Sequence, residues 1–80
     1  MSNSEGPSRR VFTVTPSDSI NFSRIVRQLY VGVGGNIVVV NNDNSTTTFV
    51  NVIQGTIIGP FNIVRVNNTN TTASSLVAFE

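Results

Sequence analysis

The chain has 80 residues, with five arginines, four carboxylate side chains and a net charge of +1; only 11% of its residues are charged. It contains no cysteine and no histidine. These figures exclude disulfides, deny a transition metal its usual thiolate and imidazole ligands, and leave too sparse a basic footprint for nucleic acid.

Residues 1–10 carry no periodicity and hold Ser, Asn, Gly, Pro and the Arg9-Arg10 pair. They read as an extended N-terminal arm ahead of a single β domain over residues 11–80. The arm lacks the apolar stretch of a signal peptide. Val11-Phe12-Thr13-Val14-Thr15 alternates as a first strand, stopped by Pro16. Ser17-Asp18-Ser19 reads as a turn, since short polar side chains bond to nearby backbone. Within residues 21–27, Ile25-Val26 either begins a strand or sits in a loop. Residues 28–33 form a strand with Leu29, Val31 and Val33 on one face.

Gly34-Gly35-Asn36 is predicted to be a hairpin turn, because glycine reaches positive φ without steric cost. Ile37-Val38-Val39-Val40 follows as a strand that is apolar on both faces. Residues 41–44 turn the chain, residues 46–52 form a strand, and Gln54-Gly55 turns again. Thr56-Ile57-Ile58 is a short strand ending at Gly59-Pro60. Residues 61–66 form the next strand, residues 67–70 turn, and the last strand covers residues 72–79. Strands at roughly ten-residue spacing predict an all-β fold, a small antiparallel β-barrel or β-sandwich. No 3.6-residue period persists, and no apolar run approaches the roughly 18 residues of a membrane span.

A domain this small buries only about 60–65% of its unfolded surface, and such domains often add a disulfide, a metal or a partner. With the first two removed by composition, oligomerisation is the expected stabiliser. Two segments sharpen that expectation. Residues 37–40 and Leu76-Val77-Ala78-Phe79 are apolar on both faces, whereas a strand in a lone two-layer domain turns one face to water. Their second faces are expected against another subunit, with Ile37, Val39, Leu76 and Phe79 assigned to core and subunit packing.

Catalysis is not expected. There is no histidine, cysteine or lysine to act as a tuned base or nucleophile, and the four carboxylates (Glu5, Asp18, Asp43, Glu80) show no convergent spacing. Gly32-Val33-Gly34-Gly35 resembles a phosphate loop only superficially, because a β-branched strand follows it and not a helix N-terminus. No cofactor is expected. Arg24 and Arg27 are candidates for intersubunit ion pairs with Asp18 or Asp43. Arg65, set mid-strand, either meets solvent or crosses an interface.

An ordered series of motifs resembles a family of small virion proteins. The series runs through Val14-Thr15-Pro16-Ser17-Asp18-Ser19, Asn21-Phe22 and residues 27–32, then residues 35–40 and 52–57. It ends with residues 60–66 and Thr71-Thr72-Ala73. The family is that of head-surface proteins of tailed phages, spike bases and capsid decoration proteins, including those of phage-like gene-transfer particles. The resemblance covers residues 12–79 and departs from the pattern at residues 42–45 and 57–60. It implies a cement or decoration protein, or a vertex spike base, on the outer capsid surface of a virion built in the host cytoplasm. The implied partners are copies of itself, the major capsid protein, and a spike or fibre protein. Nucleic acid and membrane are not among them. Arg9, Arg10, Arg24 and Ile25 are the expected capsid contacts.

The competing classes are a host-receptor or glycan-binding module, which calls for exposed aromatics at loop tips, and a small nucleic-acid-binding barrel. The latter needs interleaved aromatic and basic residues, and only Tyr30 near Arg27 offers them.

Overall fold

The computed structural model describes residues 11–80. The predicted arm, with Arg9 and Arg10, lies outside the described residues. Seven strands follow in order: β1 (Val11–Thr13), β2 (Gln28–Val33), β3 (Gly35–Asn41), β4 (Thr46–Val52), β5 (Thr56–Ile58), β6 (Ile63–Val66) and β7 (Ser74–Phe79). They form two antiparallel sheets, one ordered β1-β7-β2-β5 and the other β4-β3-β6. The all-β expectation holds, and the two-sheet arrangement is that of a small sandwich.

Alternation along the strands builds the core. In the four-stranded sheet, Phe12, Ala78, Leu29 and Ile58 are cross-strand neighbours, and Leu76 pairs with Val31 in the next inward row. In the three-stranded sheet, Val39 pairs with Val66, and Ile37 with Phe49. Leu29, Val31, Ile37, Val39, Ile63, Val66, Leu76 and Ala78 join Val14, Val26 and Ala73 in one buried cluster. Phe12 meets Phe22 edge-on at 5.7 Å between ring centroids, and Phe49 meets Phe61 at 6.0 Å. Both distances lie in the favourable range for aromatic pairs.

The chain between β1 and β2 closes one sheet edge. Ser17, Phe22 and Val26 each donate their backbone N–H to a carbonyl of β6, those of Val66, Val64 and Ile63. Val26 also accepts from the Ile63 N–H at 3.0 Å, so Ile25-Val26 is a loop carrying a single bridge. Along the β6 edge of β3, residues 67–72 extend β6 irregularly. Asn67 N–H bonds the Val38 carbonyl, and the Thr71 and Thr72 hydroxyls accept from the Val38 and Asn36 N–H groups.

Two expectations are corrected. Gly34-Gly35-Asn36 is not a hairpin turn, because β2 and β3 belong to different sheets and the chain crosses the sandwich at Gly34. A β carbon on Gly34 would lie 2.5 Å from the Val52 carbonyl oxygen, so close backbone approach is what demands glycine there. The second concerns residues 37–40, expected to need a neighbour for their second face. All four are buried within the single chain: Ile37 and Val39 inward, Val38 and Val40 outward at 9% and 4% exposure. Register sets Thr46 and Arg65 on either side of Val40, and Thr48 beside Val38. Of these, Arg65 has the long apolar stem that can lie over a neighbouring valine.

Candidate interaction surfaces

The polar side chains are committed to loops. Asp18 Oδ1 accepts from the Asn68 and Thr69 N–H groups, both at 2.9 Å, and its Oδ2 accepts from the Thr69 hydroxyl at 2.6 Å. The Thr69 hydroxyl is the main cause holding the Asp18 carboxyl below its ordinary 3.8, helped by the Thr69 and Asn68 N–H groups and by Arg65. Asp43 is lowered similarly, by the Ser45 hydroxyl first and the Ser45 N–H second. Arg65 donates from Nε to Asn67 Oδ1 at 2.9 Å and from a terminal nitrogen to Asn21 Oδ1 at 3.0 Å. Thus Asp18 and Asp43, the carboxylates considered for intersubunit pairing with Arg24 or Arg27, have hydrogen-bond partners inside one chain, as does Arg65.

Of the expected packing residues, Ile37, Val39 and Leu76 are at most 1% exposed and belong to the core of a single chain, with no surface left for a neighbour. Phe79 differs: it is half-buried on the outward face of its sheet. Of the expected capsid contacts, Arg24 is exposed, with its Nε 3.9 Å from Glu80 Oε1, and Ile25 is half-buried. The Arg27 N–H bonds the Phe79 carbonyl at 2.8 Å. The loop over residues 24–27 therefore meets the end of β7, bringing Arg24 close to Phe79.

The outward face of the four-stranded sheet was only partly anticipated, through Val77 and Phe79 of the last strand. Its rows are Val11-Phe79-Gln28 and Thr13-Val77-Tyr30-Ile57, each set side by side by strand register. Val11, Tyr30 and Ile57 are 56%, 38% and 53% exposed, and Val77 is half-buried. Alternation around Leu29 and Val31 implied that Tyr30 faces outward, but only the pairing shows Tyr30, Ile57 and Val77 as neighbours. The opposite outer face is dressed by Thr46, Thr48 and Arg65. No group of three or more acidic side chains suited to a metal occurs among the described residues.

The four-stranded sheet thus exposes Val11, Tyr30 and Ile57, while Thr46, Thr48 and Arg65 flank outward Val38 and Val40 on the other sheet. A chain in a solved structure, described as the capsid of a native GTA particle computed with C5 symmetry, is similar to this chain. That particle is a gene transfer agent, which is phage-like. The two share 39% sequence identity with a TM-score of 0.78, over 89% of this chain and 81% of that one. The chain belongs to the family of that capsid-particle protein. No protein-family model and no curated protein matches it.

Proposed function

We propose that this chain is a structural protein of a phage-like particle, set on the outer capsid surface as a symmetric homo-oligomer that binds the major capsid protein. The observation that carries the reading is the 39% identity to a chain of a GTA capsid, sustained across 89% of the sequence. The reading covers a cement or decoration protein and a vertex spike base alike. A spike or fibre protein docked on top belongs to the same reading. Arg24 and Ile25, with Arg9 and Arg10 of the arm, are its proposed shell contacts. The mechanism is multivalent: each subunit makes a modest contact and ring symmetry multiplies it. No enzymatic step and no cofactor enter it.

The glycan-binding alternative gains no support from the placement of the aromatics. Tyr30 is exposed on a strand, while Phe12, Phe22, Phe49, Phe61 and Phe79 are half-buried.

The test is native mass measurement of the purified chain, followed by co-sedimentation with capsid shells assembled without it. A discrete ring-sized species that pellets with shells is expected. A stable monomer at micromolar concentration that stays in the supernatant would overturn the proposal.

A further inference from the structure

We infer that copies of the chain join edge to edge, β5 of one lying antiparallel beside β1 of the next, so that their four-stranded sheets run on as one continuous belt. This rests on the reading of the chain as a symmetric homo-oligomer and names the contact between its copies.

The first observation is which edges are open. The sheet orders place β1, β5, β4 and β6 at edges. The chain between β1 and β2 closes the β6 edge through its bonds to Ile63, Val64 and Val66. β1 and β5 stay open in the described residues, and neither carries the charge or proline that keeps exposed edges apart. At three residues each, one such pairing is weak, and a closed set of them is what holds.

The second is direction and level. Three antiparallel steps separate β1 from β5, so the two run in opposite directions. Phe12 and Ile58 stand at the two ends of one cross-strand row, and Thr13 and Ile57 at the two ends of the next. A neighbour set level therefore brings Thr13 beside Ile57, in antiparallel sense.

The third is the phase of the backbone bonds, which alternate sides residue by residue. Val14 N–H bonds the Leu76 carbonyl, so in β1 the groups of Thr13 face outward. In β7, Val77 and Phe79 then face β2, as the bond from Arg27 N–H to the Phe79 carbonyl shows. Tyr30 pairs with Val77, which leaves Leu29 and Val31 facing β5; the Val31 carbonyl accepts from Gly55 N–H. Ile58 answers Leu29, and the groups of Ile57 face outward. Thr13 and Ile57 thus present free N–H and C=O groups at the same level on opposite edges, and can exchange both N–H···O=C bonds.

The fourth is the distribution of exposed apolar side chains. The short link over residues 53–55 puts β4 and β5 on one flank, and the bonds of the β1–β2 chain put β1 and β6 on the other. Val50, Ile53 and Ile57 lie on the first flank, Val11 and Ile20 on the second. A head-to-tail contact sets one flank against the other. Such contacts close into a ring when the rotation between neighbours permits. Level neighbours also turn the Arg24 end of every copy to the same side, as the proposed shell contacts require.

The experiment uses Thr13→Cys and Ile57→Cys, separately and combined, in the full chain, which has no cysteine of its own. Within one chain the two positions are three strand spacings apart, about 14 Å, too far for a disulfide. Across the inferred contact their α carbons are about 5.5 Å apart, within disulfide range. Both residues are exposed, so the fold tolerates the changes, and thermal unfolding checks it. The expected result is that mild oxidation of the double variant gives a ladder of linked species ending at the native mass of the oligomer, while each single variant stays unlinked. An oligomer of unchanged native mass that gives no ladder would overturn the inference and leave the functional reading intact. So would linked dimers from T13C or I57C alone, which would show like edges pairing. A parent chain that is monomeric at micromolar concentration would overturn the homo-oligomer reading and this inference with it.

Discussion

Asp18 joins segments fifty residues apart, taking both N–H groups and a hydroxyl from the 68–69 loop. As a turn residue it was expected to serve its own neighbourhood. That local role falls to Ser17, whose Oγ accepts from the Ser19 and Ile20 N–H groups. Because its folded pKa lies below the ordinary 3.8, Asp18 contributes stability that is present above that value. The contribution is lost as pH falls through the lower folded value, since the unfolded chain takes up the proton first. Asp43 acts in the same direction. Melting curves taken from neutral pH down to about pH 3 should therefore show a loss of stability that Asp18→Asn makes shallower, leaving the part due to Asp43. Equal slopes for the two proteins would refute the assignment. In the core, Leu29 is fully buried between Ala78 and Ile58. Leu29→Ala should cost about 3 kcal/mol, a melting-temperature drop on the order of 15 °C for a domain this size. A drop of only a few degrees would show that the site collapses around the smaller side chain.

At the scale of elements, strand positions were legible in the sequence and strand partners were not. β2, β4 and β5 have the predicted bounds, while β1, β6 and β7 are two residues shorter than expected. Alternating β-branched residues mark where a strand runs, because that pattern reflects a half-buried pleat. A Gly-Gly-Asn signal marks only that the chain bends. Whether it bends into a hairpin or across a sandwich depends on distant partners: Val52 beside Gly34, and Thr72 and Ala73 beside Gly35. Of the connections between consecutive strands, β3–β4 is the hairpin, closed by the bond from Asn44 N–H to the Asn41 carbonyl. The crossing at Gly34 gives its own prediction. Gly34→Ala would drive a methyl group into the backbone of residues 52–54 and should cost about 2–3 kcal/mol. Gly55 has φ of 80° and open space around it, so Gly55→Ala should cost only about 1 kcal/mol of backbone strain. Urea midpoints would rank the two, and the reverse order would contradict the packing described for the crossing.

For the whole molecule, the sequence reading expected too few covering atoms for two strands, and the structure covers one of them within the single chain. That reading assigned bare faces to residues 37–40 and 76–79 alike. Thr46, Thr48 and Arg65 flank the first, which is buried, while Val77 and Phe79 stay on a half-covered outer face. The candidate contact surface was only partly visible, because Val11, Tyr30 and Ile57 come from three separated segments that β7 and register bring together. The position of β7 has a further consequence. It lies between β1 and β2, so the larger sheet has no continuous middle until residues 74–79 are in place. A ribosome-bound chain still lacking them holds the β3–β4 hairpin as its one local pairing. Acquisition of the native state must then wait for residues 74–79 to pair, at the unhurried millisecond-to-second pace of non-local β topologies.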